Sequence, residues 1–497
     1  IPKRDWSSDV CSSDLAASPV RRSVVALVVV LVVSLAGAPA QSAPYDVVIV
    51  GGRVIDGTGA AARAADIGIR GNRIDTVGLI GTVDIQAAKQ RIDATGLVVA
   101  PGFIDVHTHA DDLASHPQAE NFVQMGVTTI VAGNCGSSAL KIGPALDRVR
   151  NVGASVNFAT LIGHGTIREA VMGTVNREPS IIELNKMKAL VFEGMADGAV
   201  GFSTGLQYVP GTYAKNFEIT VLAHIAANEG GVYATHMRNE GTALDAAVKE
   251  SIQVAYLIDG PVEISHLKVD SPSQWGAAAR ALKLIDDARK RGLKVQADQY
   301  AYTAGSSSLS IRFPSWALAG TDAEVRARLT DATTWSKIKT EMQVMLAERG
   351  FTDLAWATVA TYRADPSLNG LTMKQVAQKL KGADTADAQL DAARDMQLAG
   401  GASMVYHFMS DDDVKAIMKH PFVSIASDAG LNTLGQGVPH PRGYGDNPRV
   451  LGKYVRDDEV ITLEDAVRKM TALPAQFFGF ADRGVIKSGA FSDLVDR

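Results

Sequence analysis

Cysteine is nearly absent from this sequence. Only Cys11 and Cys135 occur in 497 residues. A disulfide framework needs several paired thiols, so stability must come from a packed core. A basic surplus is also missing. Lys and Arg total 49 against 54 Asp and Glu, a net charge of −5. Nothing here neutralises a phosphate backbone, which excludes nucleic acid as a partner. Long apolar runs are scarce too. The longest, residues 24–35, is about half of the ~20 residues a spanning helix requires, so no stable membrane anchor is expected. Internal repeats and low-complexity tracts are lacking. What is present is an ordinary globular mixture: 46% hydrophobic, 21% charged, and 46 glycines that suit many tight turns.

The two ends read differently from the rest. Residues 1–15 (IPKRDWSSDVCSSDL) have no amphipathic period and no targeting logic, and read as an adaptor-derived artefact. Residues 16–40 read as a signal peptide. Arg21 and Arg22 form its basic part, 24–35 its apolar run, and Ala38-Pro39-Ala40 its cleavage site. A buried hydrophobic helix is the other reading of that run. The signal reading implies export, periplasmic or secreted, and the Arg pair points to export in the folded state. One cysteine then remains, Cys135. In an oxidising compartment a lone thiol must be buried, reactive or metal-bound. At the other end, residues 484–497 return to short strands and stop as if in mid-strand, so a C-terminal truncation is expected.

Residues 41–98 alternate apolar and polar side chains and break at glycines, as in DVVIVGG and ADIGIRG. With 484–497 they read as a small β-sandwich domain built from both termini. From about residue 99 to 483 the pattern changes to apolar strands separated by helical stretches. Strands are expected at 97–106, 128–133, 157–163, 198–202, 230–235, 262–265, 294–298 and 422–427. Helices are expected at 181–195, 242–258 and 276–291. The fold class is therefore α/β, a (β/α)8 TIM barrel. The gap from 298 to 422 is too long for one crossover. Its polar helical stretches, 322–350 and 372–398, mark a subdomain of about 307–400 inserted between the last two barrel strands.

The first barrel strand ends in Asp105-Val106-His107-Thr108-His109. Two His two apart on a strand face the same way, so both rings can reach one point. His-x-His alone is a weak signal, and a pair of packed or surface histidines is its bland reading. Other residues join it. His236 follows GGVYAT, His266 follows VEIS, Asp428 follows FVSIAS, and Cys135 sits just past TTIVAG. Barrel active sites lie at the C-terminal strand ends. Each residue alone could be a core imidazole, a small hydrophobe or a helix cap. Their coincidence at one rim points to a metal centre.

These phrases together resemble the amidohydrolase superfamily, and within it the D-aminoacylases, or N-acyl-D-amino-acid deacylases. The resemblance spans residues 45–497. It rests on APGFIDVHTH, GVTTIVAGNCGSS, GAVGFSTGLQYVPG, YATHMRNEG, EISHLKV, DQYAYTAGSSSL, SDAG and HPRGYG, with Asn134-Cys135-Gly136 carrying most weight. Hydantoinase-like relatives bridge two metals with a carboxylated Lys on strand four. Here Ser203 stands at that position and cannot form a carbamate, whereas the Cys135 thiolate can supply the negative bridge. Sulfur and imidazole ligands point to zinc.

The resemblance implies Cys135, His236 and His266 as a tight zinc site, with His107 and His109, bridged by Cys135, as a second and weaker one. It implies Asp428 as general base and then acid. The expected reaction is hydrolysis of the linear amide of an N-acyl-D-amino acid, so the partner is a small molecule with a free carboxylate. Arg442 is the implied carboxylate anchor, and a surface arginine is its plain reading. Tyr208, Tyr300 and Ser306 match substrate-holding positions, although both tyrosines read equally well as packing residues. Met409 is implied to line the acyl or side-chain pocket, or is an ordinary core methionine. His164 is read as structuring its loop, and His440 as orienting Arg442. The alternatives are another small-molecule amidohydrolase, such as a dipeptidase or cyclic-amide hydrolase, and a non-catalytic barrel relative. The stretch from 428 to 442 differs in length and content from the best-known members of the family and should shape the pocket.

Overall fold

Val47–Val54 reads VVIVGGRV; Val48, Ile49 and Val50 are buried in a row, so both faces of its first half are covered, and burial alternates only from Gly51 on. In the computed structural model, which describes residues 44–496, it pairs antiparallel with Arg63–Arg70. Along its other edge it pairs parallel with Gln90–Asp93 and then with Val98–Pro101. Leu494–Asp496 adds antiparallel to Val98–Pro101, so both ends of the described chain meet in one six-stranded mixed sheet. Ile67, Ile74 and Val99 pack its covered face together with Ile486 and Ala490. The expected adaptor segment and signal peptide lie outside the described residues.

The expected strand 97–106 is two strands. Val98–Pro101 belongs to the terminal sheet, and Phe103–Asp105 starts a parallel series. Gly102 sits at the break. A Cβ there would lie 2.2 Å from Thr128 Oγ1, so no larger residue fits between the two sheets. Phe103–Asp105 pairs with Val127–Ala132, which pairs with Asn157–Thr160. Ile162–Gly163 continues that last segment. It leads a second run of pairings through Gly201–Gly205, Val232–His236, Val262–Ile264, Val295–Gln299 and Val423–Ile425. Thr108–His109, just after the first strand, pairs in parallel with Ala429–Gly430, just after the last. Every neighbour in this series is parallel.

Some helices begin at side-chain caps, while others, such as Asn216–Asn228 and Leu244–Ile258, have none. Ser180 and Glu183 form a reciprocal capping box at the start of Ile181–Ala196. The expected helix at 322–350 is two, Asp322–Thr330 and Ala332–Arg349. Asp331 ends the first and caps the second through the Thr334 amide. The stretch 372–398 likewise divides into Met373–Lys381 and Ala386–Leu398, because Gly382 adopts a left-handed conformation and Thr385 caps the following helix. The segment between Val295–Gln299 and Val423–Ile425 also holds a three-stranded antiparallel sheet. Ser403–Tyr406 lies at its centre, flanked by Gly305–Ser308 and Ala357–Thr361. This sheet carries Ser306 and Ser307 toward the parallel strand ends.

Candidate metal centre and active site

The six chemistry-bearing residues all sit at the same ends of the parallel strands. His107 and His109 follow Phe103–Asp105, Cys135 follows Val127–Ala132, and His236 ends its strand. His266 follows Val262–Ile264, and Asp428 follows Val423–Ile425. Three of them have positive φ: Cys135 at 54°, His266 at 37° and Asp428 at 52°. A left-handed conformation is costly for residues with a Cβ and persists where the surroundings impose it, typically at functional sites. The Cys135 turn shows how it is imposed. Ser203 donates to the Gly133 carbonyl at 2.5 Å and accepts from the Gly136 amide at 3.0 Å. Gly205 lets the turn close, since a Cβ there would lie 2.1 Å from the Cys135 carbonyl oxygen.

Cys135 Sγ lies 3.4 Å from His107 Nε2, 3.5 Å from His266 Nε2 and 3.7 Å from His236 Nδ1. His109 Nε2 is 3.1 Å from Asp428 Oδ1. The donors form overlapping triads, His107–His109–Cys135, Cys135–His236–His266 and His107–His266–Asp428, each with its atoms within 4.8 Å of one another. A tetrahedral zinc with sulfur at ~2.3 Å and nitrogen at ~2.0 Å would hold those donors about 3.5 Å apart. The sulfur–nitrogen distances around Cys135 match that spacing.

A ring of polar groups orients the imidazoles. His107 Nδ1 faces Asp298 at 3.4 Å, and the same carboxylate accepts the His266 amide at 2.8 Å. Lys268 Nζ and Glu240 Oε1 lie 2.7 and 3.0 Å from His266 Nδ1, which leaves Nε2 aimed at the thiol. His236 Nε2 lies 3.6 Å from Glu240 Oε2 without a hydrogen bond. Such outer partners fix ring orientation and ligand basicity in metal sites. Asp298, Glu240 and Lys268 were not singled out from the sequence. Asp298 carried the signal that identified Asp428, a carboxylate closing an apolar strand. Glu240 lies four residues past His236, and Lys268 two past His266.

Burial alone would raise the Cys135 thiol, yet His107 and His266 hold it well below its ordinary value. Burial would also favour a neutral Asp428, but Arg442, His107 and His266 keep it well below the usual carboxylate range. His109, against the same burial, is pushed up to about 10 by Asp428 and Cys135. The centre thus pairs a thiolate and a carboxylate with cationic groups, a charge pattern that a metal cation in place of protons would also satisfy.

Arg442 is buried, and its Nη1 forms an ion pair with Asp428 Oδ2 at 2.8 Å. Its guanidinium stacks over the Tyr300 ring at 4.7 Å. His440 accepts the Arg442 amide at 3.0 Å and donates to the Ala304 carbonyl, so it anchors the start of the helix Arg442–Arg449. Tyr208 and Ser306 line an open cavity of about 1080 Å³ in front of Cys135 and Asp428. The Tyr208 hydroxyl lies 3.3 Å from His236 Nδ1 and accepts from Ser307. Tyr300 lines a recess of about 40 Å³ beside the imidazoles. Met409 corrects its expected role. It lines neither cavity, and its sulfur sits behind Tyr300, accepting that hydroxyl at 3.6 Å. It packs the tyrosine in place.

The family profile of the amidohydrolases matches residues 90–495. D-aminoacylase of Alcaligenes xylosoxydans xylosoxydans is 36% identical over 92% of this chain and 88% of its own length. N-acyl-D-glutamate deacylase of the same organism is 37% identical over 90% and 86%. Among solved structures, N-acyl-D-glutamate deacylase of Bordetella bronchiseptica, complexed with zinc and a phosphonate mimic of the tetrahedral intermediate, superposes with a TM-score of 0.77. It is 32% identical and covers 91% of this chain and 90% of that one.

Proposed function

This chain belongs to the amidohydrolase family, in its D-aminoacylase branch, and from that premise we propose that it hydrolyses N-acyl-D-amino acids to a D-amino acid and a carboxylate. The observation that carries the reading is one thiol within 3.7 Å of three imidazoles, with an ionised aspartate beside them. Cys135, His236 and His266 are the tight zinc ligands, and His107 and His109, sharing Cys135, form a second, weaker site. Bound zinc supplies Lewis acidity, lowering the pKa of water to about 7 and taking up negative charge from a carbonyl oxygen.

The remaining chemistry belongs to the chain. Asp428 accepts the proton of the attacking water as a C–O bond forms at the amide carbon. When the C–N bond breaks, Asp428 returns that proton to the departing amine nitrogen. Arg442 holds the α-carboxylate with a guanidinium steadied by the Tyr300 ring. Tyr208 and Ser306, on the cavity wall, position the amide and keep it against the imidazoles.

The architecture supports this reading. We take the parallel series as a closed (β/α)8 barrel, since its first strand meets its last through Thr108–His109 and Ala429–Gly430. We take the terminal sheet as the small β-sandwich and the segment with the antiparallel strands as the insertion. The sequence at 16–40 supports export, with work done outside the cytoplasm. A chiral substrate panel on the zinc-loaded protein tests the function. Release of D-methionine from its N-acetyl form, with the L-enantiomer untouched, is the expected result. Equal turnover of both enantiomers, or of hydantoins alone, would overturn it.

A further inference from the structure

The carboxylate anchor is held by a clamp that the chemistry above does not use. Arg442 opens the helix Arg442–Arg449, and its guanidinium rests on Tyr300, which follows the strand Val295–Gln299. Helix and strand are locked together at the next residue, Ala301. The Ala301 amide donates to Asp446 Oδ1 at 2.7 Å, and its carbonyl accepts from Arg449 Nε at 2.7 Å. Asp446 and Arg449 lie three apart on one face of the helix, so that face holds both backbone groups of a single buried residue. Asp298, on the same strand, faces His107 and accepts the His266 amide. The clamp therefore ties the anchor to the strand that sets the imidazoles.

Asp446 is the unusual member of the clamp. It has no exposed surface, and its second oxygen, Oδ2, has no hydrogen-bond partner. Burying an ionised carboxylate is costly unless its partners compensate, and one amide compensates little. Its surroundings favour the other form. Burial, with Asp105 and Asp428 nearby, pushes its carboxyl well above the usual carboxylate range. A neutral Asp446 still accepts the Ala301 amide, and it leaves Arg442 to Asp428 and to a substrate. It supplies placement without charge.

Placement matters because of how enantiomers differ. With the amide carbon at the metal centre and the α-carboxylate on Arg442, the α-carbon is held from two sides. The D and L forms then differ by exchanging hydrogen and side chain. Discrimination between them lasts only while the two holding points keep their separation, and a shift of about 1 Å can cost about 100-fold in rate. Resting on the deacylase reading, we propose that Asp446 is a positioning residue that fixes the carboxylate anchor against the metal centre and thereby sets the preference for the D-enantiomer. It touches no substrate and acts through Ala301, Tyr300 and Arg442.

The test measures kcat and KM of the zinc-loaded enzyme on N-acetyl-D-methionine and its L-enantiomer. Asp446→Leu removes the acceptor. It should raise KM for the D form about 10-fold, change kcat by less than about threefold, and leave the zinc content unchanged. Asp446→Asn keeps an oxygen for the Ala301 amide and should stay within about twofold of the wild type. Arg449→Met cuts the other bond of the clamp and should raise KM by a smaller factor, which keeps the test open if Asp446→Leu fails to fold. Calorimetry reads the enantiomer preference without turnover. The wild type should bind D-methionine about 10-fold more tightly than L-methionine, and Asp446→Leu should bring the two within about twofold. A preference and a KM that Asp446→Leu leaves intact, with only unfolding affected, would make Asp446 a plain brace and overturn the proposal. Equal damage from Asp446→Asn, or a wild type that binds both enantiomers alike, would overturn it too. If the wild type cleaves neither substrate, the deacylase reading fails, and the calorimetric comparison still decides Asp446.

Discussion

Two buried histidine clusters lie at strand ends in this molecule, and they differ in what their members face. Around Cys135, imidazoles from three strands turn toward one sulfur, and the cluster opens on a cavity. At His164 the imidazole Nε2 meets Glu218 at 2.8 Å, and the same oxygen accepts Arg168 Nε at 3.0 Å. The other Arg168 donors run to the backbone carbonyls of Val175, Arg177 and Pro210. None of His164, Arg168 and Glu218 lines either cavity. The residue types overlap, but the second cluster ties a loop to a helix and the first presents donors to a shared point. Convergence on one soft donor beside open space, and not burial of a histidine by an acid, marks the site.

The sharpest way to break that comparison is to remove the sulfur. Cys135→Ala should abolish retention of tightly bound zinc after dialysis, read by metal analysis, because the remaining imidazoles lose their anionic partner. One full equivalent retained by the variant would sink the ligand assignment. Asp428→Asn should keep the metal but lower kcat by about 10³-fold, the range expected when a positioned base is lost. A fall under tenfold would assign the proton to another group.

The other cluster should respond in stability instead. Arg168→Met leaves Glu218 buried beside His164 without its cation, and breaking such a pair costs about 3–5 kcal/mol. Denaturant unfolding should show that loss, while kcat per folded molecule stays within about twofold. A large drop in kcat at unchanged stability would mean that the two clusters communicate.

The strand-end residues were legible because a parallel strand buried on both faces reads as an apolar run, and a polar residue closing it stands out. His107, Cys135, His236, His266 and Asp428 all carry that mark. Their supports do not. Glu240 lies on a loop, and its contact with Lys268 depends on how two neighbouring strands align, which no local spacing encodes. Met409 shows the converse error, since an apolar side chain near a site in sequence can lie behind the wall. The split of the first expected strand at Gly102 was hidden because both halves are equally apolar.

Ser203 sharpens the comparison most finely, because it belongs to both categories. It touches no substrate and offers no ligand, yet its hydroxyl bonds the residues two before and one after Cys135. Ser203→Ala removes both bonds and leaves a buried carbonyl and amide unsatisfied, a cost of about 1–3 kcal/mol. If the clamp were only a brace, that cost would appear in unfolding alone. The positive φ of Cys135 argues for more, since a strained turn relaxes when its tether is cut and carries the sulfur with it. The variant should therefore hold zinc about 10-fold more weakly in chelator competition, the scale expected when an outer support is lost. Unchanged zinc affinity with reduced stability would place Ser203 with Arg168 as scaffold and show that Gly205 and its neighbours suffice to shape the turn.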